Sequence, residues 1–141
     1  MTGKFFLDTN FLVYCFSATE PEKQAKCLEI LRLHGRKQQT FVISTQVVNE
    51  FINVMLGKFK KQPSDVTSLV TGLNVFEIIK TDMPIITEAI SIHAMYQLSF
   101  WDSLIVSAAK SAHCTAILTE DMGDGSTISG INILNPFTLI L

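Results

Sequence analysis

Four acidic residues, Asp8, Glu50, Asp102 and Asp121, are widely separated in the chain, yet each lies where a carboxylate could reach one shared site. Asp8 ends the apolar run Lys4-Phe5-Phe6-Leu7, and Glu50 falls in the early turns of the helical pattern after Phe41-Val42-Ile43. Asp102 opens an apolar helical pattern, and Asp121 follows Ala116-Ile117-Leu118-Thr119. In an open parallel sheet, ligands bind just beyond the carboxyl ends of the strands. Carboxylates meeting there repel one another unless a hard divalent cation neutralises them. Such a grouping suits metal-assisted cleavage of a phosphodiester.

Each acid also has a purely structural reading. In Leu7-Asp8-Thr9-Asn10, Asp8 could cap a helix, a position that suits Asp, Thr or Asn. Three capping-competent residues in a row exceed what a cap requires, and the excess suits a ligand, Asp8, supported by Asn10. Ser99-Phe100-Trp101-Asp102 fits the S-x-x-D capping box. That box also sets the Asp102 carboxylate in the first helical turn, near the positive end of the helix dipole. Glu50 falls on the polar arc of its helix, where a solvated residue and one lining an open cleft have the same spacing. Asp121 and Asp124 lie in Thr119-Glu120-Asp121-Met122-Gly123-Asp124-Gly125, and a polar turn explains acids there equally. Asp121 is nearest the strand end and Asp124 is held in reserve, while Glu120 is expected to face solvent.

The elements that must position these groups alternate in type. Phe5–Leu7 reads as a strand, Asn10–Phe16 as a short helix, and Pro21–His34 as a longer helix ending near Gly35. Thr40–Ile43 is β-branched and aromatic, hence a strand. Ser44 or Thr45 then caps a helix with apolar residues at positions 47, 48, 51, 52, 55 and 59. Pro63-Ser64-Asp65 opens a further helix, Val75–Ile79 is a third strand, and Thr81-Asp82 with Pro84 begins a helix to about Leu98. Ser99 starts the helix through His113, Ala116–Leu118 is a buried strand, and a Gly-rich loop from Gly123 to Gly130 leads to a last strand, Asn132–Leu134. Strands alternating with helices imply one three-layer α/β domain over residues 1–141, with a mostly parallel central sheet.

With 141 residues, 48% of them apolar and 17% charged, the chain suits an apolar-rich globular domain rather than a disordered one. No apolar run is long enough to span a bilayer and no secretory signal is evident, so a cytoplasmic protein is expected. Cys15, Cys27 and Cys114 sit in apolar patterns and are expected as buried free thiols, and no Cys or His spacing offers a zinc site. The net charge of −2 argues against a protein that holds nucleic acid by bulk electrostatics, though not against a nuclease. Arg36, Lys37, Lys58, Lys60 and Lys61 are the candidate phosphate contacts, or simply solvated helix ends. Phe11, Phe16, Phe51 and Phe59 could include exposed aromatics for a partner, with core packing expected for most.

Taken together, Asp8-Thr9-Asn10, Ser44-Thr45 with Glu50, Trp101-Asp102-Ser103-Leu104-Ile105 and Leu118-Thr119-Glu120-Asp121 resemble the PIN domain. The likeness is greatest to the VapC-type ribonuclease toxins of toxin–antitoxin pairs, and it covers nearly the whole chain in the right order. It implies an endoribonuclease dependent on Mg²⁺ or Mn²⁺. Asp8, Glu50, Asp102 and Asp121 would be its catalytic and metal-holding quartet, with Asn10, Thr45 and Thr119 as polar support. It also implies an RNA substrate, a small cognate antitoxin protein, a homodimer and no membrane. In one respect the sequence departs from the family: Glu120-Asp121-Met122-Gly123-Asp124-Gly125 offers several acids for the fourth position. The alternatives are a silent PIN-like module that binds RNA or protein, and a PIN nuclease of RNA processing. An aspartyl-nucleophile phosphatase would need Asp-x-Asp where Asp8-Thr9-Asn10 stands.

Overall fold

A computed structural model of the protein describes residues 3–36 and 39–140. Among the described residues six strands form one sheet in the order β3-β2-β1-β4-β6-β5: β1 (Lys4–Leu7), β2 (Thr40–Ser44), β3 (Glu77–Ile79), β4 (Cys114–Leu118), β5 (Thr127–Ile128) and β6 (Ile131–Leu134). All pairings are parallel except β5 with β6. Six α-helices connect and flank them: α1 (Thr9–Phe16), α2 (Pro21–Arg36), α3 (Thr45–Gly57), α4 (Pro63–Gly72), α5 (Met83–Tyr96) and α6 (Phe100–Ser111).

Successive strand residues point to opposite faces of a sheet. Phe5, Phe6 and Leu7 are all fully buried, as are Val42 and Ile43 in β2 and Ile117 and Leu118 in β4. Both faces of the central strands are therefore covered, as a three-layer α/β domain requires. Helix α1 packs against both α2 and α3, α5 pairs with α6, and α6 lies along β4 and β2.

Local chemistry starts the helices as expected. Ser44, Asp82 and Ser99 each cap a helix with a side-chain oxygen that accepts from a backbone N–H three residues on, at Val47, Ile85 and Asp102. Pro63 opens α4, where its missing N–H costs nothing. The sheet runs outward in both directions from β1, to β2 on one side and β4 on the other. The crevice at the carboxyl ends of β1 and β4 is thus the topological switch point.

Two elements differ from the expected ones. Val75 is not in a strand: Leu73–Val75 is a 3₁₀ turn closed by Phe76 N donating to Leu73 O at 3.0 Å, and Val75 is exposed. The edge strand begins only at Glu77, where pairing with Val42 becomes available. The Gly-rich loop hides a hairpin, β5–β6, turned by Ser129 (φ 51°) and Gly130 (φ 82°). Positive φ at both central residues is what a two-residue hairpin matched to strand twist demands. Cys15, Cys27 and Cys114 are buried and free, with the Cys15 thiol pushed upward in pKa by its Cys27 neighbour and by burial. Phe11 and Phe51 are core residues and Phe59 packs against the core, whereas Phe16 is exposed. Lys37 lies outside the described residues, and no helix among them is long and apolar enough to cross a membrane.

Candidate active site

Asp8 occupies the junction at which β1 becomes α1. Its backbone N–H donates to Leu118 O at 3.3 Å, which ties the ends of β1 and β4 together. Its carboxylate does two further things: Oδ1 caps α1 by accepting from Thr9 N at 2.6 Å, and Oδ2 accepts from the Thr119 hydroxyl at 2.7 Å. The capping and functional readings of Asp8 are therefore not exclusive, because each carboxylate oxygen serves a different neighbour. Thr119 is buried at the end of β4, and its Oγ1 also accepts from Asp121 N at 3.2 Å. One threonine so links Asp8 to the backbone of Asp121.

The remaining acids are held by similar short bonds. Asn10 Nδ2 donates to Asp121 Oδ2 at 3.1 Å, across the gap between α1 and the loop after β4. Both oxygens of Glu50 are engaged: Oε2 accepts from Thr9 Oγ1 at 2.6 Å and Oε1 from Gln46 Nε2 at 3.0 Å. The same Gln46 amide donates to Trp101 O at 3.2 Å, bringing α3 to the first turn of α6 and hence to Asp102. Glu50 is partly buried with both carboxylate oxygens hydrogen-bonded rather than standing in open solvent, which the helical spacing could not decide.

Charge gathers with the side chains. Burial raises the Asp8 carboxyl to about 6; the bonds from Thr119 and Thr9 oppose this, while Asp121 and Asp102 push it further up. Asp102 is also raised, first by burial, with a hydrogen bond from Ser99 pulling it back and the charges of Asp121 and Glu50 adding to the rise. Each acid of the quartet thus takes part in at least one repulsion with another.

Among the described residues no group of three or more His, Cys, Asp or Glu side chains is drawn together into a ready-made metal cage. The donor set is nonetheless of one chemical kind: carboxylate, hydroxyl and amide oxygens with excess negative charge. It fits a hard cation that keeps several of its own waters, such as Mg²⁺ or Mn²⁺, and does not fit a softer ion that requires thiolate or imidazole.

Not every expected residue joins the cluster. Thr45 Oγ1 accepts from Thr81 N at 3.0 Å and so fastens the turn after β3 instead. Asp124 turns to the C-terminal loop, with Oδ1 accepting from Asn135 N and Oδ2 from Thr138 Oγ1, both at 2.9 Å. Those bonds hold its carboxyl below the usual range. Contrary to expectation, Glu120 does not face solvent: it accepts from the Tyr14 hydroxyl and pairs with Lys23 at 3.2 Å. Lys23 lies over the rings of Tyr14 and Phe137, 4.9 and 5.0 Å from their centroids. Thr9 was read only as part of Asp8-Thr9-Asn10, and Gln46, Tyr14 and Lys23 were not anticipated. Of these three, Gln46 left a trace in the sequence, standing four residues before Glu50 on one helix face.

A domain with this sheet order, and with acids at its switch point, is one that a family model describes. The PIN domain model matches residues 5–123, and the chain belongs to the PIN domain family. No curated protein sequence matches it. Among solved structures it is similar to a toxin–antitoxin complex from Klebsiella pneumoniae, with TM-score 0.69 and 20% identity over 93% of this chain and 96% of that one. It is also similar to VapBC2 from Rickettsia felis bound to a promoter DNA fragment, with TM-score 0.66 and 22% identity over 92% and 96% of the two chains. A third, VapC20 of Mycobacterium tuberculosis, described as a sarcin–ricin loop cleaving toxin, gives TM-score 0.65 and 13% identity over 83% and 91%. At these identities the likeness is one of fold.

Proposed function

We propose that this protein is a metal-dependent endoribonuclease and the toxin of a toxin–antitoxin pair. The observation that carries the reading is geometric: Thr119 links Asp8 to the backbone of Asp121, and Thr9 and Gln46 tie Glu50 to the start of α1 and to the carbonyl just before Asp102, at the crevice beyond β1 and β4. So many carboxylates in one crevice destabilise a protein that has no use for them. Membership of the PIN domain family supports the same reading. So does a fold shared with a complex named as toxin–antitoxin and with a toxin named for cleaving the sarcin–ricin loop.

In this reading Asp8, Asp102 and Asp121, with Glu50, hold Mg²⁺ or Mn²⁺. When bound, such an ion supplies a Lewis acid at the phosphodiester and lowers the pKa of water beside it. The chain's own groups hold the acids in place. Thr119 orients Asp8, Asn10 orients Asp121, and Thr9 with Gln46 fixes Glu50 from both sides. Asp124 is spent on the C-terminal loop, so Asp121 is the fourth acid. A small antitoxin protein, a homodimer and action in the cytoplasm complete the proposal.

The test is cleavage of a mixed RNA panel by purified protein with Mn²⁺, with Mg²⁺ and with EDTA, beside Asp8→Asn. Cleavage that needs the metal and disappears in the variant is expected. Clean inactivity of the wild type with either metal, across a panel that includes structured ribosomal RNA loops, would overturn it.

A further inference from the structure

Beside the acids stands a group that the cleavage reading does not use. Trp101 is 64% exposed, although it is the largest side chain of its helix and the chain's one tryptophan. A lone exposed aromatic needs no explanation by itself. The setting of this one is what matters. Its neighbour in sequence is Asp102, and its carbonyl receives the same Gln46 amide that holds Glu50. The tryptophan and two of the acids are therefore separated by no more than one peptide unit and one side-chain amide.

The turn that presents Trp101 is fixed on every side. Gln97 takes a left-handed conformation (φ 57°) and its N–H donates to His93 O at 2.9 Å. The His93 ring bonds Leu98 O at 2.5 Å. Ser99 O accepts from Ser103 N at 2.9 Å and from Ser103 Oγ at 2.8 Å, while Ser99 Oγ caps α6. Phe100 meets the indole in a T-shaped contact, with centroids 5.7 Å apart and planes at 67°. The backbone that carries the ring is thus held by these bonds, and the ring is left open to solvent one residue before an acid of the proposed site.

We propose that Trp101 is a stacking platform for an unpaired nucleobase of the RNA, next to the phosphodiester that reaches the acids. The inference rests on the nuclease reading and adds the substrate's form: single-stranded at the cut, with a base turned out of any helix. Aromatic rings are how proteins take splayed bases, and stacking tolerates any base because each has a π-face.

Because Trp101 is the sole tryptophan, its emission reports this site and no other. Wild-type protein in EDTA is titrated with short single-stranded homopolymers of adenine, cytosine and uracil, with a duplex, and with a base-free ribose-phosphate chain. Binding is followed in parallel by anisotropy of labelled RNA, and cleavage by the wild type with Mn²⁺ is measured separately. Single strands should quench the tryptophan, whereas the duplex and the base-free chain should not. Trp101→Phe should keep the affinity within about twofold, and Trp101→Ala should weaken it roughly 5- to 150-fold. RNA that binds without quenching, or Trp101→Ala that binds and cuts like the wild type, overturns the platform and leaves the nuclease standing. Quenching without any cleavage supports the platform and sinks the nuclease. Emission that changes with protein concentration alone assigns Trp101 to contact between copies and overturns the proposal. Neither binding nor cleavage overturns both.

Discussion

The Thr119 hydroxyl donates to Asp8 Oδ2 at 2.7 Å, a bond from the end of β4 to the end of β1 across the switch point of the sheet. It is one of the bonds that hold down the pKa of a carboxyl that burial raises. It also fixes which way Asp8 faces. Thr119→Val keeps the shape and removes the donor. Groups that orient ligating carboxylates are worth about 10- to 100-fold in metal affinity or activity. Cleavage should fall by that factor, with more Mn²⁺ needed for half-maximal rate, and Thr119→Ser should restore both. Unchanged metal dependence in the valine variant would show that the bond is structural only.

The Asp8 carboxyl also sets a pH dependence of stability in the metal-free protein. Its folded pKa of about 6 lies above the ordinary 3.8, so the folded state holds this proton more tightly than the unfolded chain does. Stability from this source is complete below about pH 4 and is lost as pH rises through about 6. The loss is roughly 2–3 kcal/mol. Asp102 shifts in the same direction. Asp8→Asn cannot ionise there and should melt roughly 5–10 °C higher than the wild type at neutral pH. The two should converge near pH 4. Millimolar Mn²⁺ should raise the wild-type melting temperature at neutral pH and barely move that of the variant.

Much of the fold could be read from the residues because local signals and tertiary packing agree. Ser44, Asp82, Ser99 and Pro63 sit at helix starts for reasons of capping and φ, and the apolar triplets at 5–7 and 116–118 are strands buried on both faces. The β5–β6 hairpin escaped because Gly123, Gly125 and Gly130 read as loop, while Ser129 in a positive-φ turn has no strong sequence mark. Within the site, Asp8, Asp102 and Asp121 announced themselves by standing at element ends. The ties among them did not. Thr9 and Glu50 are separated by 41 positions and Asn10 and Asp121 by 111, and no periodicity connects residues that far apart. Thr45 and Asp124 have the right type and neighbourhood, and only their bonds to Thr81, Asn135 and Thr138 show them occupied elsewhere.

That distinction between Asp121 and Asp124 can be measured directly. Asp121 accepts from Asn10 inside the cluster and acts on both Asp8 and Asp102. Asp124 staples the loop around Gly125 to Asn135 and Thr138. Asp121→Asn should lower cleavage by two orders of magnitude or more while the protein melts no lower, since removing a like charge relieves repulsion. Asp124→Asn should cut RNA within about threefold of wild type and melt at a lower temperature. The reverse pairing of effects would exchange the roles of the two acids.

The loop carrying Thr119 and Asp121 is anchored at Glu120, between them, and that anchor should be felt at the site. Glu120 accepts from the Tyr14 hydroxyl and pairs with Lys23, which stacks its ammonium on Tyr14 and Phe137. Burial and the Glu120 carboxylate raise the Tyr14 pKa above its usual 10, so the hydroxyl remains a donor throughout the neutral range. Tyr14→Phe keeps the ring under Lys23 and deletes the hydroxyl that donates to Glu120 and accepts from Lys23 Nζ at 3.3 Å. Glu120 then depends on the partly exposed Lys23 alone, an ion pair that salt screens. Amide hydrogen exchange at Thr119 to Asp121 should quicken in the variant, and cleavage should fall by less than about tenfold at low salt. The deficit should widen as salt rises beyond the trend of the wild type, because the wild type keeps a direct hydrogen bond from a neutral hydroxyl that the variant lacks. An identical salt dependence in the two proteins would mean that Glu120 does not hold the loop through Tyr14.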